Sequence, residues 1–126
     1  MEEQGATLRQ QRVARQLQRD LSEMFQKELA PLAAGVLVSV TEVWISQDLE
    51  QVKVYLSIFP KERELEVFDN IQQNGKEIRY QLGKRVRHQL RVVPELLFRL
   101  DQSFDEAEKI EAILQEIHKN DPQVES

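Results

Sequence analysis

Ile71-Gln72-Gln73-Asn74-Gly75-Lys76-Glu77-Ile78 is the stretch at which one helical pattern gives way to another. Before it, residues 63–73 space Leu65, Phe68 and Ile71 as the inward side of a short helix. After it, Ile78, Leu82, Val86 and Leu90 recur four apart, which predicts a second helix over Lys76–Leu90. Asn and Gly best tolerate a left-handed backbone, so Asn74-Gly75 reads as the interruption between the two. Gly83 lies inside the second pattern at a cost of about 1 kcal/mol relative to Ala. Such a residue is tolerated where another backbone comes close.

Working outward, the period falls from 3.6 to 2 upstream of the break. Val36, Val38 and Val40 alternate with Leu37, Ser39 and Thr41, and a second alternation runs through Val43 and Ile45. The slip of phase between Val40 and Val43 predicts a bulge or strong bend near Glu42. Past the polar link Gln47-Asp48-Leu49-Glu50, Val52, Val54, Leu56 and Ile58 face one way, completing a hairpin that Pro60 ends. At the start of the chain, Thr7 is placed to cap a long helix running to about Leu29, with Val13, Leu17, Leu21, Met24 and Phe25 on one stripe. Downstream, Val92-Val93-Pro94 breaks the second helix, and Leu96, Phe98 and Leu100 alternate in a third strand. Phe104–His118 reads as a last amphipathic helix with Ile110, Ile113, Leu114 and Ile117 inward. The expected fold is therefore α+β, a two-layer sandwich with three strands and helices on one face. Residues 1–6 are expected to be disordered, 7–119 to form one domain, and 120–126 to be a flexible tail.

Composition agrees with a single domain. The chain has 126 residues, 40% hydrophobic and 31% charged, with 4 Gly, 4 Pro and no Cys. Absence of Cys removes disulfide scaffolds, thiol nucleophiles, cysteine zinc sites and iron–sulfur clusters. The apolar run from Ala30 to Val38 is too short to span a membrane, and MEEQGATLRQ resembles no signal or transit peptide. A soluble, cytoplasmic protein is expected. No phosphate-binding, dinucleotide, metalloprotease or serine-hydrolase motif is present, and the acids Glu62, Glu64 and Glu66 have no partner base. His88 and His118 lack metal-ligand spacing. The expectation is no enzyme, no cofactor and no metal.

Charge is more informative than its total of −5. Residues 76–100 carry seven basic side chains (Lys76, Arg79, Lys84, Arg85, Arg87, Arg91, Arg99) against Glu77 and Glu95. Residues 101–126 carry eight acids against two bases. Lys76, Lys84, Arg87 and Arg91 fall on one helical side with Tyr80 among them, a pattern that suits a line of phosphate contacts. Tyr80 suits either stacking on an unpaired base or half-buried packing. Arg79 and Arg85 flank the apolar line, where a structural ion pair and an RNA contact are equally consistent with position. Arg12, Arg15 and Arg19 on the first helix extend the basic surface if the two helices lie side by side.

The element order, with its short break between consecutive helices, is similar to a type II KH domain, α-β-β-α-kink-α-β, here with an extra C-terminal helix. More closely, the chain resembles the ribosome-binding factor A family of bacterial small-subunit assembly factors. The matching pieces are Arg9…Arg12-Val13, Val38-Ser39-Val40-Thr41-Glu42-Val43, Ser46-Gln47-Asp48-Leu49, Val52-Lys53-Val54-Tyr55-Leu56-Ser57, Gly75-Lys76-Glu77-Ile78-Arg79…Leu82 and Pro94-Glu95-Leu96-Leu97-Phe98…Asp101-Gln102-Ser103. Together they cover roughly residues 7–118. The family's Ala-x-Gly kink corresponds to Gln73-Asn74-Gly75, so the Ala is replaced while Gly75 stays. The resemblance implies a monomer that binds the free 30S subunit and assists late maturation of its 16S rRNA near the 5′-terminal helix and neck. It also implies release with the help of an assembly GTPase. The alternative from another class is a protein–protein adaptor with the same fold and no RNA, which would need no clustered Arg and Lys.

Overall fold

The computed structural model describes residues 7–103 and residue 114. The expectations for residues 1–6, for a helix at Phe104–His118 and for a tail at 120–126 lie outside the described residues. Helix α1 (Leu8–Gln26) opens as expected, with Thr7 as its cap. The Thr7 hydroxyl accepts from the Gln10 N–H at 3.0 Å, and the Gln10 side-chain oxygen accepts from the Thr7 N–H at 2.9 Å. This reciprocal box satisfies two N–H groups that the first helical turn cannot. Gln10 is buried, and its amide nitrogen donates across to the Ile45 carbonyl at 3.2 Å. Gln18 makes the same kind of contact to the Val40 carbonyl at 3.0 Å. The helix ends at Gln26, earlier than the Leu29 expected; Leu29 is buried ahead of a short 3-10 turn, Ala30–Ala33, set by Pro31. Gly35 then takes φ +79°, the left-handed turn that swings the chain into the sheet.

Strands β1 (Leu37–Ile45) and β2 (Gln51–Phe59) form an antiparallel hairpin with the register slip lying between Val40 and Glu42, where the sequence placed it. The extra residue, Thr41, lets Val38 and Val40 before it and Val43 and Ile45 after it keep the same face. β3 (Glu95–Leu100) lies parallel to β2, giving the order β1-β2-β3 with β2 central. Val52, Val54, Leu56 and Ile58 of β2 are all buried, flanked by Phe98 of β3. On the other face, Lys53 lies over the Trp44 ring, 5.0 Å from its centroid.

The crossover from β2 to β3 carries α2 (Glu64–Gln73) and α3 (Gly75–Val86). Together with α1 they lie against one sheet face, the three helices sharing a core of Leu17, Leu21, Met24, Ile71, Ile78, Leu82 and Val86. Two expectations fail in α2. Leu65 is 73% exposed, because the buried stripe is Val67 and Ile71 with Phe68 beside it; at 100° per residue Leu65 points away from that stripe. The break also uses no left-handed residue. Asn74 sits at φ −100°, ψ 19°, and Gly75 has no positive φ. The Asn74 N–H bonds to the Asn70 and Ile71 carbonyls, while its carboxamide donates to the Asn70 carbonyl at 2.8 Å, so the side chain closes the helix end. α3 stops at Val86 and not at Leu90: a turn follows, with the Gln89 and Leu90 N–H groups both on the Val86 carbonyl, and the chain reverses towards β3. Among the described residues no helix is long and apolar enough to cross a membrane.

Gln10 joins the cap of α1 to the end of β1. Gln10→Ala strands the Ile45 carbonyl and the Thr7 N–H and is expected to destabilise the protein by about 1–3 kcal/mol. Arg9→Ala, its exposed neighbour, should stay within about 0.5 kcal/mol. Urea denaturation of the two variants side by side measures the difference.

Candidate nucleic-acid interface

α3 buries Ile78, Leu82 and Val86 against the sheet, so its opposite side is exposed. That side carries Lys76, Tyr80, Lys84 and, just past the last turn, Arg87. Gly83 lies between this exposed side and the loop that leads into β3. A Cβ added there would stand 3.0 Å from the Val93 side chain, which identifies the segment whose approach Gly83 permits. Arg79 fixes that loop from below: its Nε donates to the Pro94 carbonyl at 3.1 Å and its Nη2 to the Val93 carbonyl at 2.6 Å. Arg79 is thus engaged by backbone carbonyls, and among the described residues no ion pair holds it.

The result is an open hollow of about 800 Å³ lined by Lys76, Arg79, Tyr80, Gly83, Lys84, Arg87, Arg91, Val92 and Val93. Five of these nine residues are cationic and, among the described residues, none of the lining is acidic. Arg91 belongs to the loop and not to the helix, yet reaches the same hollow. Lys84 Nζ stands 4.8 Å from the centre of the Tyr80 ring. With like charges gathered and no carboxylate in the lining to neutralise them, the hollow concentrates positive potential suited to phosphates.

The face of α3 towards α1 is built on the opposite plan. Arg85 forms a fork to Glu28 (Nε–Oε2 2.8 Å, Nη2–Oε1 2.9 Å), reaches Glu23 Oε2 at 2.9 Å and lies 3.5 Å from Asp20 Oδ1. The hydrogen bonds from Arg85 hold the Glu28 carboxyl down at about 2 and lower that of Glu23, and they raise Arg85 above its ordinary value. The cluster ties α1 to α3 and occupies three carboxylates with one guanidinium.

Of the eleven residues singled out from sequence, the structure gathers Lys76, Arg79, Tyr80, Lys84, Arg87 and Arg91 in one hollow. Gly75 opens α3 with open space where its side chain would be. Arg12 lines a smaller groove of about 180 Å³ with Val13, Gln16, Leu17, Gln89 and Leu90, at the seam between α1 and the turn after α3. Arg15 and Arg19 are exposed on α1 outside both depressions. Arg85 sits in the ion-pair cluster. The wall formed by Val92 and Val93 was missed; the one signal for it was a glycine inside a helical pattern. Among the described residues no cluster of His, Asp and Glu could hold a metal ion.

A family model described as ribosome-binding factor A matches residues 9–114. A ribosome-binding factor A of Cytophaga hutchinsonii is 38% identical over 111 residues, covering 88% of this chain and 84% of that protein. The one from Chlorobaculum tepidum is 39% identical over 112 residues, covering 88% and 92%. The crystal structure of ribosome-binding factor A from Thermus thermophilus superposes with a TM-score of 0.59 at 25% identity, covering 72% of this chain and 94% of that one. A Thermus thermophilus homology model fitted into a cryo-EM map of a complex of that factor with the 30S subunit superposes at 0.55 and 28% identity, covering 71% and 91%. The α+β fold is therefore KH-like, as its element order suggested.

The Arg85 cluster yields a pH signature. Glu28 is depressed from 4.5 to about 2 in the folded chain. Its contribution is present above the unfolded value and is lost as pH falls from about 4.5 towards 2. Solvent screening at this near-surface site holds it to about 1 kcal/mol. Glu28→Gln should lower stability at pH 7 by that amount and flatten the fall in stability across that acid range, as followed by urea midpoints against pH.

Proposed function

The chain belongs to the ribosome-binding factor A family, and from that premise we propose that it binds the free 30S subunit and assists late maturation of its 16S rRNA. The observation that carries the reading is the cationic hollow over α3, whose described lining holds no acid, on a fold that superposes on a relative fitted into a 30S complex. Lys76, Lys84, Arg87 and Arg91 take phosphates; Arg79 shapes the loop that completes the hollow, and Arg12, Arg15 and Arg19 widen the basic surface along α1. Gly75 lets RNA backbone approach the start of α3, where none of the described chain stands in the way. Arg85 acts indirectly, by keeping α1 and α3 in register.

The action is non-catalytic. A factor that binds one RNA arrangement better than another shifts the population towards it by that difference in affinity. In this reading the arrangement lies near the 5′-terminal helix and neck of the small subunit, and occupancy keeps immature subunits out of initiation. The protein works as a monomer in the cytoplasm, and an assembly GTPase helps to release it.

About six phosphate contacts from these seven cations predict a fall in affinity of about 10³-fold or more between 50 mM and 200 mM salt. Co-sedimentation with separated ribosomal particles measures this directly, and free small subunits should retain the protein where intact ribosomes do not. The triple variant Lys84→Gln, Arg87→Gln, Arg91→Gln should lower the logarithmic salt slope by about three. Retention of the triple variant with unchanged affinity would point to a protein–protein adaptor.

A further inference from the structure

Phosphate binding leaves one group in the hollow unused, the ring of Tyr80. It is 60% exposed, and Lys76 precedes it and Lys84 follows it by four residues each. Helical spacing puts the three side chains on one side of α3, about 6 Å from each to the next along the axis. Lys84 lies over the ring at 4.8 Å, a contact that steadies the aromatic plane and places a cation beside it. Val92 and Val93, in the same lining, are apolar. The Tyr80 hydroxyl can donate to a phosphate, but its exposed ring and the two valines add nothing to a row of phosphate contacts.

The form of RNA decides whether that ring is useful. A duplex offers phosphates and 2′-hydroxyls, with the faces of its bases stacked inside. An unpaired nucleotide offers a phosphate and an open base face together, and every base has such a face. The open hollow of about 800 Å³ brings the aromatic ring, two valines and five cations into one surface depression, so a base and its backbone can be met there together. We propose that the hollow takes unpaired RNA, with one base on the Tyr80 ring and against Val92 and Val93, and the flanking phosphates on Lys76, Lys84 and Arg87. This rests on the RNA-binding reading above and specifies the form of RNA it recognises.

Fluorescence anisotropy with a labelled single-stranded oligoribonucleotide and a duplex of equal length, each at several salt concentrations, tests it on the full chain. The native protein should prefer the single strand. Tyr80→Leu should lose about ten-fold in single-strand affinity with its salt slope unchanged and its duplex affinity unaltered. Tyr80→Phe should keep the native affinity, since it keeps the ring. Lys84→Gln should lower the slope by about one on both forms. If Tyr80→Leu changes nothing, or weakens both forms alike, stacking is overturned while phosphate binding by the hollow stands. If neither form binds with salt dependence, the RNA-binding reading falls along with the inference.

Discussion

Parallel pairing of β2 with β3 is the constraint from which the rest of the arrangement follows. Two parallel neighbours cannot be joined by a tight turn, so the chain must travel the length of the sheet before β3 begins. Here α2 and α3 make that journey, and the sheet face they cover is the one that presents Val52, Val54, Leu56 and Ile58. The ends of the parallel strand are pinned by backbone bonds, from the Glu95 N–H to the Glu50 carbonyl and from the Asp101 N–H to the Leu56 carbonyl. Once α3 is committed to the core by Ile78, Leu82 and Val86, its cationic side has no choice but to face outward. The hollow is therefore a by-product of the crossover, finished by a loop that must come back close over Gly83 to enter β3.

The electrostatics are sorted by the same geometry. A chain with an overall charge of −5 presents a hollow whose described lining has no acid, while α1 and α3 enclose three carboxylates around one guanidinium at their seam. Arg79 and Arg85 are only six residues apart and both flank the buried line of α3, yet they do different things. Arg79 looks towards the loop before β3 and holds carbonyls; Arg85 looks towards α1 and holds carboxylates.

Features that depend on near neighbours were legible from sequence alone. The odd spacing from Val40 to Val43 marked the bulge, since an alternating strand can keep one face through such a slip only by inserting a residue. Thr7 was legible as a cap because the helix pattern starts immediately after it. Features decided by a distant partner were not legible. Gly83 announced a close approach without naming Val93, and Arg85 gave no sign of Glu28, which is 57 residues away. Leu65 misled because Leu65, Phe68 and Ile71 drift steadily around a helix, while Val67 offered the tighter stripe. Asn74 was read for its backbone tolerance, yet it works through its side-chain amide. The end of α3 was set by where β3 has to start, which no local pattern records.

Gln10 and Gln18 have a meaning beyond the stability of α1. β1 is an outermost strand of the sheet, and such a strand ordinarily offers a row of unsatisfied carbonyls to any passing chain. In this protein the carbonyls of Val40 and Ile45 are already taken by the two glutamine amides. A foreign strand seeking to extend the sheet there would have to break both bonds and push α1 aside. The same two side chains that fasten the helix thus guard the margin of the sheet against aggregation.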